Sequence, residues 1–305
     1  MPGPLLIADV PWLMYRAYFA LPSSIKGAEG RPVNALLGTA NALLAAAAAA
    51  RPRAVVACTG AEEAAYRVAL FSGYHAHRDP MPEALADQWH RAPSLLSGFG
   101  WLVSGSEDLE ADDVMYSYAT LEAEAGGRAL LMTADRDLYG AVGPRVAVIE
   151  QRRGGEGAAD ELAEIGPEQV RERYGIDPEL VPDFIALRGD PSDGLPGAPG
   201  VGAKTAAQLL VAHGSLEGAL AEAQATLEAG AGGRSAMRPR IAAALADNAE
   251  LLRDFKRIAT LQWIEFTRPP DRETDPVRGA EVARQFGLNA LAERLEGGWE
   301  GPAGS

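Results

Sequence analysis

Leu5-Leu6-Ile7-Ala8-Asp9 is a short unbroken apolar run closed by an acid. Three further runs share its character: Ala54-Val55-Val56-Ala57, Ala129-Leu130-Leu131-Met132 and Val146-Ala147-Val148-Ile149. Apolar runs of this length without alternation are strands buried on both faces, and helical stretches such as Asn34 to Ala50 lie between them. The reading is therefore an α/β fold with a mostly parallel central sheet covered by helices. Ligands of such sheets sit beyond the carboxyl ends of the strands. Asp9 follows the first run, and Asp135 and Asp137 follow the third, so the fold logic already draws three acids to one edge.

Outward from these strands the pattern changes twice. Residues Phe71 to Gly98 read as an exposed, partly helical excursion from the sheet, in which SGYHAHRDPMPEALADQWHR (72–91) mixes His, Arg and aromatics with two prolines. His75, His77 and His90 lie here and His213 elsewhere; solvated surface His is the plain reading, since a one-residue gap between His75 and His77 suits a helical metal site poorly. From about Ile165 short helices and Gly/Pro turns take over. The segment Glu228 to Ser235 reads as a flexible connector and the end of the chain from Gly297 as a frayed tail.

With 305 residues, 47% apolar and 23% charged, the chain has ample material for a large core. A single cysteine, Cys58, excludes an intrachain disulfide and a four-thiolate zinc site. The start of the chain lacks a basic n-region and carries Asp9, unlike a secretory signal. The longest uncharged run, Pro32 to Ala50, is too weakly apolar for a membrane span, so a soluble cytoplasmic protein is expected. A net charge of −14 argues against broad electrostatic coating of DNA. A nuclease remains open, because a carboxylate metal site itself adds negative charge.

The acids fall into four groups: Asp9; Glu110, Asp112 and Asp113 in LEADDV; Asp135 and Asp137 in TADRDL; and Asp190 and Asp193 in RGDPSDG. Each has a plainer alternative: a loop acid, a helix cap or a turn residue. Together, flanked by apolar sequence, they risk costly burial unless they bind a metal. An all-oxygen set suits Mg²⁺ or Mn²⁺, and two such ions about 4 Å apart clamp the attacking and leaving oxygens of a phosphodiester. Glu110 and Asp113, three apart, are expected on one helix face. Gly200-Val201-Gly202-Ala203-Lys204-Thr205 puts two glycines ahead of a helix, an arrangement that lets a phosphate reach backbone N–H groups. The spacing is neither a Walker A loop nor a dinucleotide fingerprint; a helix–hairpin–helix gripping a nucleic-acid backbone fits better.

From Leu5 to about Leu295 the chain resembles the 5′-nuclease family: bacterial flap endonucleases, stand-alone 5′–3′ exonucleases and the N-terminal nuclease domain of DNA polymerase I. The resemblance is carried by LLIADVPWLMYRAYFALP (5–22), GRPVNALLGTANALL (30–44), YRVALFSGYHAHRDPMPEAL (66–85), LEADDV, TADRDL and FIALRGDPSDGLPGAPGVGAKTA (184–206). It implies a PIN-like nuclease core over 1–164 with a helical arch at about 71–98. A helical DNA-binding region over 165–297 follows, with a helix-3-turn-helix at about 184–213, and then a flexible tail over 298–305. It implies hydrolysis at DNA 5′ ends, flaps and nicks with two or three Mg²⁺ or Mn²⁺ ions. The ligands would be Asp9, Glu110, Asp112, Asp113, Asp135, Asp137, Asp190 and Asp193. Arg67, Tyr74, His75 and Arg78 would sit at the arch base beside the scissile phosphate and a splayed base. Gly200, Gly202, Lys204 and Thr205 would hold the duplex backbone, with K⁺ at the hairpin. A monomer working alongside a DNA polymerase and a ligase is implied. A catalytically weakened branched-DNA binder, or an RNase using the same acids, are the alternatives. Two departures favour the weakened reading. Gly60 stands where the family usually has Asp after its second strand, and His75 where it usually has Lys. Glu62 or Glu63 could replace the lost acid through a shifted loop.

Overall fold

The computed structural model describes residues 3–152, 161–229 and 237–299. Most of the expected connector and tail lie outside these ranges. The described strands are β1 (Leu5–Asp9), β2 (Ala54–Cys58), β3 (Leu102–Ser104), β4 (Ala129–Met132), β5 (Val146–Arg152) and β6 (Glu161–Ile165). They form one sheet in the order β3-β2-β1-β4-β5-β6. β1 to β5 are parallel, and β6 returns antiparallel to β5. The mostly parallel α/β reading holds. β3 and β6 escaped it because one is three residues long and the other, Glu-Leu-Ala-Glu-Ile, is broken by charge.

Alternate residues of each strand feed opposite cores, as a two-residue pleat requires. On one face Leu6, Ala8, Val55, Ala57, Leu130 and Met132 meet α1 (Val10–Ala20), α2 (Asn34–Ala50) and α4 (Glu83–Gly98). On the other, Leu5, Ile7, Val56, Cys58, Leu131 and Val148 meet α5 (Ala111–Glu124). That face continues into α6 (Pro167–Tyr174), α7 (Val181–Arg188), α8 (Ala203–His213), α9 (Leu216–Ala229), α10 (Pro239–Asp247) and α11 (Ala249–Ala259). The short α3 (Ala65–Leu70) lies between β2 and α4. The last helices, α12 (Pro276–Gln285) and α13 (Asn289–Glu296), bury Ala280, Ala283, Leu288, Leu291 and Leu295 in the first core, beside α2 and α4.

The excursion over 71–98 is not exposed throughout: α4 buries Leu85, Ala92, Leu95 and Leu96. Its Gln88 bridges α2, accepting from the Ala35 N–H at 2.8 Å and donating to Asn34 Oδ1 at 3.1 Å. Low overall hydrophobicity masks the apolar face of α4 in the sequence; in the structure only Phe71 to Pro82 is a turn-rich segment. After 165 the chain does not stay on one face of the sheet, since α12 and α13 pack into the first core. An extended strap over 261–275 carries the chain between the two faces.

This topology positions the site. β1 is followed by β2 on one side and flanked by β4 on the other, so the strand order reverses between β1 and β4. A crevice opens at the carboxyl ends there. Asp9 closes β1 and caps α1, accepting the Trp12 N–H at 2.9 Å. Thr133-Ala134-Asp135 follows β4 directly.

Candidate active site

An open cleft of about 1420 Å³ lies over this switch point. Its acidic wall includes Asp9, Glu110, Asp112, Asp135, Asp190 and Asp193. Four stretches far apart in sequence are thus brought together. Asp9 is buried and accepts the Thr133 hydroxyl at 2.7 Å. Asp135 Oδ1 accepts the Asp137 N–H at 2.9 Å. Burial raises the pKa of all four central acids. Asp9 is raised despite its hydrogen bonds from Trp12 and Thr133. Asp112 is pushed well up, with the charges of Asp135, Asp9, Glu110 and Asp137 adding to burial. Asp135 is pushed up to about 7 by burial and by Asp193, Asp9 and Asp190, against the lowering effect of the Asp137 N–H. Asp137 is raised by burial and by Asp135, Asp193 and Asp190. It stands behind Asp135, towards Tyr174 and Phe184.

Among the described residues no three acidic, His or Cys side chains already surround a single point closely enough to hold an ion. The donor chemistry nevertheless fits a hard divalent cation. The groups are all oxygen, face one cleft and raise one another's pKa, and Asp9, Asp112 and Asp135 enter none of the described ion pairs.

The other expected residues divide. Asp113, fully buried, belongs below the cleft. Its Oδ1 accepts Arg67 Nη2 at 2.9 Å and the Gln262 N–H at 2.7 Å, and its Oδ2 accepts the Glu110 N–H at 3.2 Å. It is not on the cleft wall, because Glu110 is the N-cap of α5 and the helix turns Asp113 inward. Arg67 is buried too. Nη1 lies 3.1 Å from Glu110 Oε1 as an ion pair, and Nε donates to the Ile258 carbonyl at 3.0 Å. Burial opposes its charge, but Glu110 and Asp113 more than offset that and raise its pKa. Tyr74 is likewise covered, donating to Glu110 Oε2 at 2.9 Å. Arg67 and Tyr74 thus underpin Glu110 and are not open to a phosphate or a base as expected.

His75 is not the solvated residue anticipated. It is buried, adopts a left-handed backbone (φ 53°), stacks on Tyr74 with centroids 3.8 Å apart, and places Nε2 3.2 Å from Asp193 Oδ1. Arg78, about half exposed, reaches the same oxygen at 3.2 Å. Gly60 could not carry the missing acid: a Cβ there would lie 2.4 Å from the Ala111 nitrogen. Exposed Glu62 and Glu63 on the following loop do line the cleft.

The cleft also has an aromatic lining that the sequence reading does not include. Trp12, Tyr15, Phe19 and Trp89 form it, with Phe19 72% exposed. Tyr15 stacks on Phe19 at 6.5 Å and meets Trp89 edge-on at 6.3 Å. The signal was legible: 12, 15 and 19 share the helix face that starts at the Asp9 cap. Arg136 and Arg188 also reach the cleft.

Beyond the cleft, α7 and α8 are joined by a tight turn, in which the Ala198 N–H donates to the Leu187 carbonyl at 2.9 Å. Gly202 caps α8; Gly202 and Lys204 are exposed and Thr205 is half-buried. A Cβ at Gly202 would meet nothing within 4 Å.

Comparison with known proteins agrees with this architecture. The description "5′–3′ exonuclease, N-terminal resolvase-like domain" matches residues 4–175, and "5′–3′ exonuclease, C-terminal SAM fold" matches 176–267. A 5′–3′ exonuclease of Mycobacterium tuberculosis is 34% identical over 97% of this chain and 98% of its own length. DNA polymerase I of Mycobacterium leprae is 37% identical over 70% of this chain, a match that spans only 23% of the polymerase. Among solved structures, the bacteriophage T5 flap endonuclease in a pseudo-enzyme-product complex with DNA and metal ions superposes with a TM-score of 0.64. It is 16% identical over 96% of this chain and 98% of that one. The catalytic core of Rad2 in complex with DNA substrate gives 0.62 at 14% identity, covering 97% and 91%. With both halves matched in order and a full-length relative at this identity, the chain belongs to the 5′–3′ exonuclease family.

Proposed function

We propose that this chain hydrolyses phosphodiesters at 5′ ends, flaps and nicks of DNA, with divalent cations bound along the acidic wall of the cleft. The observation that carries the reading is that one cleft is lined both by carboxylates from four distant stretches and by aromatic rings. Asp9, Asp112 and Asp135 are the primary ligands, with Glu110, Asp137, Asp190 and Asp193 around them. Mg²⁺ or Mn²⁺ there would supply Lewis acidity at the phosphate oxygens. Tyr74, Arg67 and Asp113 fix Glu110 from below. Arg78 and His75 sit where a phosphate would enter. The rings of Trp12, Tyr15, Phe19 and Trp89 offer stacking faces for unpaired bases, a contact that tolerates any sequence. Gly200, Gly202, Lys204 and Thr205 present α8's first turn to a duplex backbone, a place where K⁺ would also find carbonyl oxygens. The metal use is supported by the metal ions of the T5 flap endonuclease complex and by the mutual repulsion of the acids in this chain. With this reading goes the proposal of a monomeric, cytoplasmic enzyme whose nicked products pass to a DNA polymerase and a ligase. No helix among the described residues is long and apolar enough to cross a membrane.

One observation favours the second reading, a branched-DNA binder with weakened catalysis: Gly60 has no space for the acid that the resemblance expects. A single assay separates the two. A 5′-flap DNA and its RNA-flap counterpart are incubated with Mg²⁺ or Mn²⁺ beside an Asp135→Ala control. Release of 5′-phosphate products from the DNA flap, abolished in the control, is expected. Tight flap binding with no metal-dependent product would favour the binder, and faster cutting of the RNA flap would point to an RNase.

A further inference from the structure

The acidic wall is neutralised unevenly. At its far end both oxygens of Asp190 are taken. Oδ1 accepts the Ser192 N–H at 2.8 Å and the Ser192 hydroxyl, and Oδ2 accepts Arg188 Nη2 at 2.9 Å. Asp193 Oδ1 faces Arg78 Nη2 and His75 Nε2, each at 3.2 Å. Arg188 is itself held in place. Its Nε donates to the Gly189 carbonyl at 2.9 Å, and its guanidinium lies over the Phe184 ring, 5.2 Å from the centroid. At the near end Asp9, Asp112 and Asp135 enter none of the described ion pairs. A divalent ion arriving at the near end meets carboxylates that no cation holds among the described residues. One arriving at the far end must displace a guanidinium from Asp190 and is repelled by a second one at Asp193.

We infer that Arg188, assisted by Arg78, is the resident counter-ion of the far end, and that a second divalent cation is held there only once a DNA phosphate has drawn these guanidiniums off Asp190 and Asp193. Both arginines line the cleft, so a phosphate entering it lies within their reach. A planar guanidinium pairs with phosphate through two parallel hydrogen bonds, so the exchange replaces one charge-assisted contact by another. Metal loading is then ordered. The first ion binds at the near end in the free protein, and the second binds with substrate. Free protein is kept from assembling a complete metal pair without DNA, and Arg188 sets that order without touching the near-end ligands.

The inference rests on the divalent-metal reading above, and the test separates the two. Binding of Mn²⁺ to the metal-stripped full chain is followed by the electron paramagnetic resonance of free Mn²⁺. It is measured alone and with a phosphorothioate-protected flap DNA. The expected result is one tight Mn²⁺ per chain alone and two with DNA. In Arg188→Gln the second ion should bind without DNA, about tenfold more tightly than in the parent, the scale of removing one competing charge at contact distance in a partly screened site. Arg188→Lys, which keeps the charge, should behave like the parent. A merely structural role would weaken binding on substitution, not strengthen it. Two equal sites in the parent without DNA, or an unchanged second site in Arg188→Gln, would overturn the inference and leave the metal reading standing. Absence of any Mn²⁺ binding by the parent, with or without DNA, would overturn both. If Arg188→Gln lowers the thermal midpoint, Arg78→Gln, altered at a half-exposed side chain, decides the matter by the same criterion.

Discussion

Asp112 faces the cleft, while Asp113, one residue on, is fully buried beneath it. Burial raises the pKa of both, with acidic neighbours adding to the rise at Asp112, and Arg67 and the Gln262 N–H opposing it at Asp113. Only Asp113 also holds a buried guanidinium, so its loss costs more than the withheld stability returns, and the two substitutions should act in opposite senses. Asp113→Asn leaves Arg67 short of a buried partner. Breaking such a pair costs about 3–5 kcal/mol, and urea unfolding should register it. Asp112→Asn should lower flap cleavage by about 10²-fold or more and yet stabilise the metal-free protein at neutral pH. The sign follows from linkage. A carboxyl whose pKa is raised on folding withholds stability as pH climbs above its unfolded value of about 3.9. Removing that carboxyl returns the withheld stability. A lower urea midpoint for Asp112→Asn than for the parent, both without metal at neutral pH, would contradict this account.

At the scale of elements, the hairpin between α7 and α8 offers a clean substitution. Gly202 has an extended backbone that any residue can adopt, and its Cβ would project into open space. Gly200, at φ 79°, would be strained by any side chain and tests folding as much as binding. Gly202→Val should keep the parent's thermal midpoint and lose duplex affinity by about tenfold, the worth of one or two backbone contacts to phosphate. The salt dependence of binding should be shallow, because few cations are present to displace counterions. Fluorescence anisotropy with a nicked duplex measures both. Unchanged affinity would remove the hairpin from the DNA interface.

Across the whole molecule, the strap over 261–275 joins the two helical faces through buried charge. Glu122, with no exposure, accepts Arg53 Nε at 3.0 Å and Arg268 Nε at 2.9 Å, and Arg53 Nη1 donates to the Pro269 carbonyl at 2.8 Å. The same strap reaches the site's foundation, since the Gln262 N–H donates to Asp113. Burial pushes the Glu122 carboxyl up, but the hydrogen bonds from Arg53 and Arg268 more than offset it and hold the pKa below the usual range. Stability from this lowered pKa is fully present above the unfolded value of about 4.3 and is lost as pH falls through the folded one. Glu122→Gln should cost about 3–5 kcal/mol at neutral pH. It should also flatten the acid limb of the stability profile, measured by urea unfolding from pH 7 down to pH 3. A variant with the parent's acid limb would place that pH dependence elsewhere.

The four apolar runs, the bounds of α2 and the four acid groups are properties of local composition and period, and the amino-acid sequence determined them unaided. The family resemblance rests on the same motifs. What tertiary structure alone decided is which members of those motifs face the cleft. Asp112 and Asp113 look alike in LEADDV; their fates diverge because Arg67, from α3, and the Gln262 amide, from the strap, converge on only one of them. Tyr74 and His75 read as exposed in a polar stretch, yet Glu110 and Asp193 arrive from distant loops to cover them. The buried face of α4 and the return of α12 and α13 to the first core were likewise invisible, because a weak apolar stripe becomes a core face only when another element packs on it. Local pattern specifies an element and its candidate face; the long-range partner that neutralises a charge or covers a ring is a property of the folded chain alone.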